Sequence, residues 1–146
     1  MTCQLPTTRY FACGVAGPID ASVASSPQPR APILIVDDND LTRALLQQVL
    51  ELEGYPTATA TDGVEALQYL RGGNPVSLVI IDVYMPVMDG RLLAEKVRAD
   101  PALAHIPVIA YSAGSDDTIP GTTAFVRKSA HPDVLLGLVA KHCRTA

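Results

Sequence analysis

Short, wholly apolar runs alternate along the chain with longer segments in which apolar residues recur every three or four positions. Ile33-Leu34-Ile35-Val36 and Leu78-Val79-Ile80-Ile81 are continuous and rich in β-branched residues, as expected of strands buried on both faces. Val108-Ile109-Ala110-Tyr111, Ala124-Phe125-Val126 and the weaker Thr57–Ala60 complete a set of five predicted strands. Between them the period lengthens. The first helix is predicted from about Leu41 to Glu53, with Asp40 as its cap and Gly54 as its stop. Leu41, Leu45, Val49 and Leu52 form its expected inward stripe, widened by Leu46 and Leu50. A second helix is expected from about Val64 to Leu70, with Val64, Leu67 and Leu70 on one face and Gly72-Gly73 ending it. A third runs from about Gly90 to Arg98 behind Asp89 as its cap, and a last one from Pro132, a favoured first-turn residue, to Cys143.

Strands and helices alternating through short loops define an α/β fold, a doubly wound five-stranded parallel sheet covered on both sides. One helix falls out of the pattern. Only 12 residues separate Ser112 from Phe125, and they include Gly114, Pro120 and Gly121. A three-turn helix takes about 11 residues and its two loops about 4–12 more. A fourth helix there is therefore expected to be shortened or absent, replaced by a loop or single turn over 114–122.

The 146 residues accommodate one domain, expected over residues 32–146, and a short extension. Residues 1–31 lack a sustained period, and Ser25-Ser26-Pro27-Gln28-Pro29-Arg30 has linker composition, so this segment is read as a disordered tail or linker. With 11 basic against 15 acidic residues the net charge is −4, which argues against a nucleic-acid partner. Cys3, Cys13 and Cys143 form no C-x-x-C pair and suit reduced thiols. No apolar run approaches the ~20 residues of a membrane span, so no membrane association is expected and the cytoplasm is the expected location. His105, His131 and His142 have no metal-ligand spacing and are expected at the surface.

In doubly wound sheets ligands bind beyond the carboxyl ends of the strands. The first strand ends in Asp37-Asp38, the third in Asp82, the fourth near Ser112 and the fifth at Lys128. One acid after a strand is ordinarily solvated or a helix cap. Five such groups meeting at one sheet edge point elsewhere. Three close carboxylates repel one another, and an oxygen-seeking divalent cation relieves them. Magnesium fits, since it takes a few carboxylates and leaves positions for water and a phosphate oxygen. Lys128 and the Ser112 hydroxyl suit the other oxygens of a phosphoryl group, which makes this a candidate phosphoryl-transfer site with a carboxylate nucleophile. A phosphatase of aspartyl type would need a leaving-group acid two residues after Asp82, where Tyr84 stands.

Val36-Asp37-Asp38-Asn39, Asp82-Val83-Tyr84-Met85-Pro86-Val87-Met88-Asp89-Gly90, Tyr111-Ser112-Ala113 and Phe125-Val126-Arg127-Lys128 resemble, in order and spacing, the signature blocks of response-regulator receiver domains. The resemblance covers roughly residues 32 to 143 and implies a flavodoxin-like receiver of two-component signalling. It implies that Asp82 accepts a phosphoryl group from a histidine kinase or histidine phosphotransfer protein. Asp37, Asp38, Asp82 and the Tyr84 backbone carbonyl would hold Mg2+. Lys128 would pair with the phosphoryl oxygens, and Ser112 and Phe125 would act as switch residues toward an unknown downstream protein target. Such a domain is no enzyme beyond magnesium-dependent self-phosphorylation and autodephosphorylation. Ser129 stands where the family usually has a cis proline; a non-proline cis bond costs ~3–4 kcal/mol, so a trans Lys128–Ser129 bond is expected. The Tyr84 ring is expected to overhang the phosphoryl group, with Gly114 leaving it space. Alternatives are a phosphorylation-independent docking module (a pseudo-receiver) or a receiver derived from a hybrid sensor kinase. Whether the chain is a monomer or a homodimer is left open by the altered fourth-helix region.

Overall fold

A computed structural model describes residues 31–85, 87–114 and 119–143. The elements, in chain order, are β1 (Ile33–Val36), α1 (Asp40–Leu52), β2 (Thr57–Ala60), α2 (Gly63–Arg71), β3 (Leu78–Ile81), α3 (Gly90–Ala99), β4 (Val108–Ser112), β5 (Ala124–Arg127) and α4 (Pro132–His142). All strand pairs are parallel, in the order β2-β1-β3-β4-β5. The expectation for residues 1–31 falls outside the described residues except at Ala31, whose carbonyl accepts the Ser77 hydroxyl at 2.8 Å.

Successive strand residues point to opposite faces, and both faces are covered. Leu34, Val36, Val79, Ile81 and Val108 pack against α2 and α3. Ile33, Ile35, Leu78, Ile80 and Ile109 pack against α1 and α4. That double burial is why β1 and β3 contain no polar residue. The chain order reverses between β1 and β3, and their register pairs Val36 with Ile81. The residues that follow, Asp37 and Asp82, therefore leave the sheet side by side, and the Asp82 N–H donates to the Val36 carbonyl at 2.9 Å.

Two expectations for α1 are corrected. Its cap is Asn39, whose side-chain oxygen accepts the Thr42 N–H at 3.0 Å, and Asp40 is the first helical residue instead. The inward stripe is also rotated. Leu46 and Leu50 are buried, whereas Leu41, Leu45 and Leu52 are 81%, 58% and 78% exposed. Polar anchors set this phase: Arg43 donates to the Asp37 carbonyl at 2.7 Å, and Gln47 donates to Thr57 Oγ1 at the start of β2 at 3.2 Å. Positions 43, 46, 47 and 50 share one helical face, so the leucines at 41, 45 and 52 turn away from it. In α2, Leu67 and Leu70 are buried together with Ala66, while Val64 lies at the margin, 36% exposed.

Between β4 and β5 the described residues form turns and no helix. The returning chain lies directly on α3. Gly121 has φ +89°, and a Cβ there would stand 3.0 Å from the Ala94 carbonyl oxygen. Arg98 fastens the segment, donating from Nε to the Gly121 carbonyl at 2.7 Å and from its second terminal nitrogen to Thr123 Oγ1 at 3.0 Å. Among the described residues, Arg91, Leu92, Glu95 and Pro120 line a groove along α3. No cis peptide bond occurs among the described residues, so Lys128–Ser129 is trans as expected. No helix among them is long and apolar enough to cross a membrane.

Candidate functional site

Each polar group of the site follows directly from an apolar element that aims it. Asp37 and Asp82 extend β1 and β3, and both are buried. Asp38 follows on the exposed side of the β1–α1 turn. Asp37, Asp38 and Asp82 each offer a carboxylate oxygen within 4.8 Å of the others. Lys128 follows β5, its backbone N–H donating to the Ser112 carbonyl at 2.9 Å, which extends the β4–β5 ladder by one residue. Its ammonium donates to Asp37 Oδ2 at 2.9 Å and to Asp82 Oδ2 at 3.3 Å. Five groups expected from four separated stretches of chain thus lie at one sheet edge, and four of them meet through their charges.

The remaining predicted residues are arranged as follows. Ser112 is buried, and its hydroxyl oxygen accepts the Gly114 N–H at 3.2 Å. Phe125 is half-buried and packs against Val83, Ala110 and Ile119. Tyr84 donates its backbone N–H to Asp82 Oδ1 at 3.2 Å, while its side chain is 52% exposed. Its ring lies over Gly114, where an added Cβ would approach the ring Cε2 at 2.6 Å. The Arg91 guanidinium stacks on the same ring, 5.4 Å from its centroid. Met85 belongs to the core and Met88 packs against it, as packing residues do. Asp89 caps α3 by accepting the Leu92 N–H at 2.9 Å. His105 and His131 are exposed and His142 is half-buried.

Burial pushes the Asp82 carboxyl above its ordinary value; the Lys128 charge pulls it down and the Asp37 charge adds to the rise, with burial prevailing. Burial by itself would lower the Lys128 ammonium, yet its hydrogen bond and charge contact with Asp37, together with Asp82, raise it. The two shifts agree once the distances are considered, because the ammonium stands closer to Asp37 than to Asp82. One ammonium facing three carboxylates leaves an excess of negative charge at the sheet edge. An all-oxygen donor set of this kind fits a hard divalent cation such as magnesium.

Two backbone features mark the connection from β3 to α3. The Gly90 N–H donates to the Val83 carbonyl at 2.9 Å, so the start of α3 folds back onto the end of β3. Val87, in the intervening loop, holds φ at +71°, a conformation that costs a β-branched residue of order 1–3 kcal/mol.

Pattern and spacing assigned no role to Arg43 and, for His131, only a place at the surface. Arg43 bonds the Asp37 carbonyl and pairs with Asp40, and the Asp40–Arg43 spacing was a legible i,i+3 pair of opposite charges. His131 caps α4, its Nδ1 accepting the Asp133 N–H at 3.2 Å. Histidine is not among the preferred capping residues, so no signal pointed to it.

A doubly wound parallel sheet with an acidic triad at its topological switch point, two of whose members are bridged by the lysine that follows the last strand, defines a receiver-type signalling module. Residues 33–139 match the family model of the response regulator receiver domain, and the chain belongs to that family. It is therefore a receiver domain of two-component signalling, a family in which phosphorylation and magnesium binding are typical. Over 93 residues it is 40% identical to response regulator PleD of Caulobacter vibrioides, a match covering 62% of this chain and 20% of PleD. It is 33% identical over 102 residues to the polar-differentiation response regulator DivK of Brucella abortus, covering 66% of this chain and 82% of DivK. The chain thus spans about a fifth of PleD, at 20%, and most of DivK, at 82%. Among solved structures, response regulator TrrA of Thermotoga maritima, in complex with Mg(2+)-BeF, aligns with a TM-score of 0.69 and 35% identity, covering 75% of this chain and 96% of that one.

Proposed function

We propose that this chain is a phosphorelay receiver in which Asp82 accepts a phosphoryl group from a phosphohistidine of a histidine kinase or phosphotransfer protein. The observation that carries this reading is the meeting of Asp37, Asp38 and Asp82 within 4.8 Å, with Lys128 hydrogen-bonded to two of them. An Asp82 carboxylate oxygen attacks phosphorus in line with the leaving imidazole nitrogen. The new O–P bond forms as the P–N bond breaks, the electron pair goes to that imidazole nitrogen, and a proton carried on the other ring nitrogen leaves the donor imidazole neutral. Asp37, Asp38 and Asp82, with the Tyr84 backbone carbonyl, would hold magnesium, which when bound neutralises charge on the phosphoryl oxygens. Lys128 exchanges one carboxylate contact for a phosphoryl oxygen. Small phosphate anhydrides of carboxylic acids serve as alternative donors, and water slowly hydrolyses the aspartyl phosphate to the Asp82 carboxylate and inorganic phosphate.

Switching follows from the two residues nearest the new anion. The Ser112 hydroxyl leaves the Gly114 N–H and donates to a phosphoryl oxygen, vacating space behind it. Phe125, packed on Val83 and Ala110, turns inward to fill that space. The downstream target is a protein that reads the β4–β5 and α3 surface, and the compartment is the cytoplasm, where kinases draw on ATP.

The test is incubation with acetyl phosphate and magnesium, followed by intact mass. The parent is expected to gain one phosphoryl group and Asp82→Asn none. No gain by the parent would leave the docking module, which needs no phosphorylation, as the better account.

Tyr84 bears on the lifetime of the product. Its half-exposed ring, held between Gly114 and Arg91, covers the direction from which water approaches the phosphoryl group. Tyr84→Ala is expected to shorten the half-life of the aspartyl phosphate several-fold. Gly114→Ala, which displaces the ring, acts in the same direction. Decay followed by mass after removal of the donor decides the matter, and parental rates in both variants would exclude a shielding role.

A further inference from the structure

We infer that Arg43 is a positioning residue for the divalent-cation site: its guanidinium fastens the β1–α1 turn that carries Asp37 and Asp38. This inference rests on the proposed magnesium-dependent reading of the acidic triad. Arg43 lies on the inward face of α1 with its side chain only 15% exposed. One terminal nitrogen donates to the Asp37 backbone carbonyl at 2.7 Å and the other pairs with the Asp40 carboxylate. The two acceptors bracket Asp38 and Asn39, so one rigid planar group joins the end of β1 to the first turn of α1.

Within that bracket Asp37 is held at every polar atom of its side chain. Its Oδ1 accepts the Asn39 N–H at 2.8 Å and its Oδ2 accepts Lys128 at 2.9 Å. Asp38, in contrast, is exposed. The direction of its carboxylate is therefore set by the backbone on either side of it, and Arg43 holds that backbone from the carbonyl before it.

Charge and position oppose each other here, which makes the sign of the effect diagnostic. A fixed cation near the triad repels a dication, so if charge were its only influence, removing Arg43 would tighten metal binding. As a positioning group it does the reverse, because Asp38 loses its pre-set direction. Lysine separates the two further: it keeps the positive charge but not the planar fork that spans both acceptors.

The experiment is calorimetric titration of the full chain with MgCl2, without any phosphodonor, for the parent, Arg43→Met and Arg43→Lys. Measurement is made at a temperature where circular dichroism shows all three folded. Outer-shell partners of metal ligands typically contribute about 10–100-fold in affinity, and a rise in Kd of about tenfold is expected for both variants. Parental affinity in the variants, or tighter binding by Arg43→Met, would overturn the positioning role. If Arg43→Met does not fold, Arg43→Lys carries the test alone. Absence of magnesium binding by the parent would instead refute the reading of the triad on which the inference rests.

Discussion

Replacing Lys128 with alanine is expected to destabilise the fold by about 3 kcal/mol at neutral pH without magnesium, the low end of what removing one partner from a buried ion pair costs. The side chains of Asp37 and Asp82 are 2% and 8% exposed, so both lose their common counter-charge where water cannot replace it. The low end applies because Lys128 itself is 24% exposed, and solvent screens part of its charge. The pH dependence follows from the direction of each shift. Lys128 titrates above its ordinary value in the folded state, so its contribution is complete below the unfolded value, near 10.4, and disappears as pH rises through the folded value. Asp82 is also raised, so its ionisation opposes folding. That opposition is absent at acid pH, grows from the ordinary carboxyl range upward, and is complete above the folded value. The parent and Lys128→Ala should therefore converge as pH falls through the Asp82 titration. Urea unfolding at neutral pH and near pH 4 measures this, and a difference that is constant across pH would contradict it. Magnesium should restore part of the loss in the variant by binding only the folded triad.

Gly90→Ala should be the most damaging substitution of a residue that carries no chemistry. A Cβ at Gly90 would overlap the Asp82 carbonyl oxygen and stand 2.9 Å from Val83 Cα. Both obstacles are backbone, so no rotamer relieves them, and the acceptor strand itself has to move. Overpacking of a close-packed interior costs about 1–3 kcal/mol, and the upper end is expected here. Displacing the nucleophile matters more than the stability. A misplacement near 1 Å costs about a hundredfold in rate, so labelling of Asp82 by acetyl phosphate should slow by at least tenfold under conditions where the variant is folded. Gly114→Ala is the contrasting case, since the atoms it meets belong to the Tyr84 side chain, which is half-exposed and able to swing away. Equal labelling rates for Gly90→Ala and the parent would show that α3 does not press on the acceptor.

The strands and the acidic residues beyond them were legible because both signals are local. A run such as Leu78-Val79-Ile80-Ile81 has no stable alternative to double burial, and the next residue, Asp82, inherits its position from the strand. That the described residues between β4 and β5 form no helix was legible by counting, since a three-turn helix with its loops needs more than the 12 residues between Ser112 and Phe125. The rotation of α1 was not. Six leucine and valine positions give that helix two overlapping apolar stripes, and periodicity cannot choose between them. The choice falls to contacts with the end of β1 and with β2, through Arg43 bonded to the Asp37 carbonyl and Gln47 bonded to Thr57, which the apolar period within the helix does not register.

The same division holds for the site. The amino-acid order by itself determined the parallel α/β alternation and the residues brought to the strand ends, because hydrophobic period and strand polarity act over a few positions. Tertiary structure alone decided which carboxylates Lys128 bridges, which flank of α1 stays exposed, and how closely Gly90 and Tyr84 approach the acceptor and its neighbour. Those outcomes depend on distances between separate elements, some adjacent and some far apart in the chain, and such distances are settled only when the two faces of the sheet close over the core.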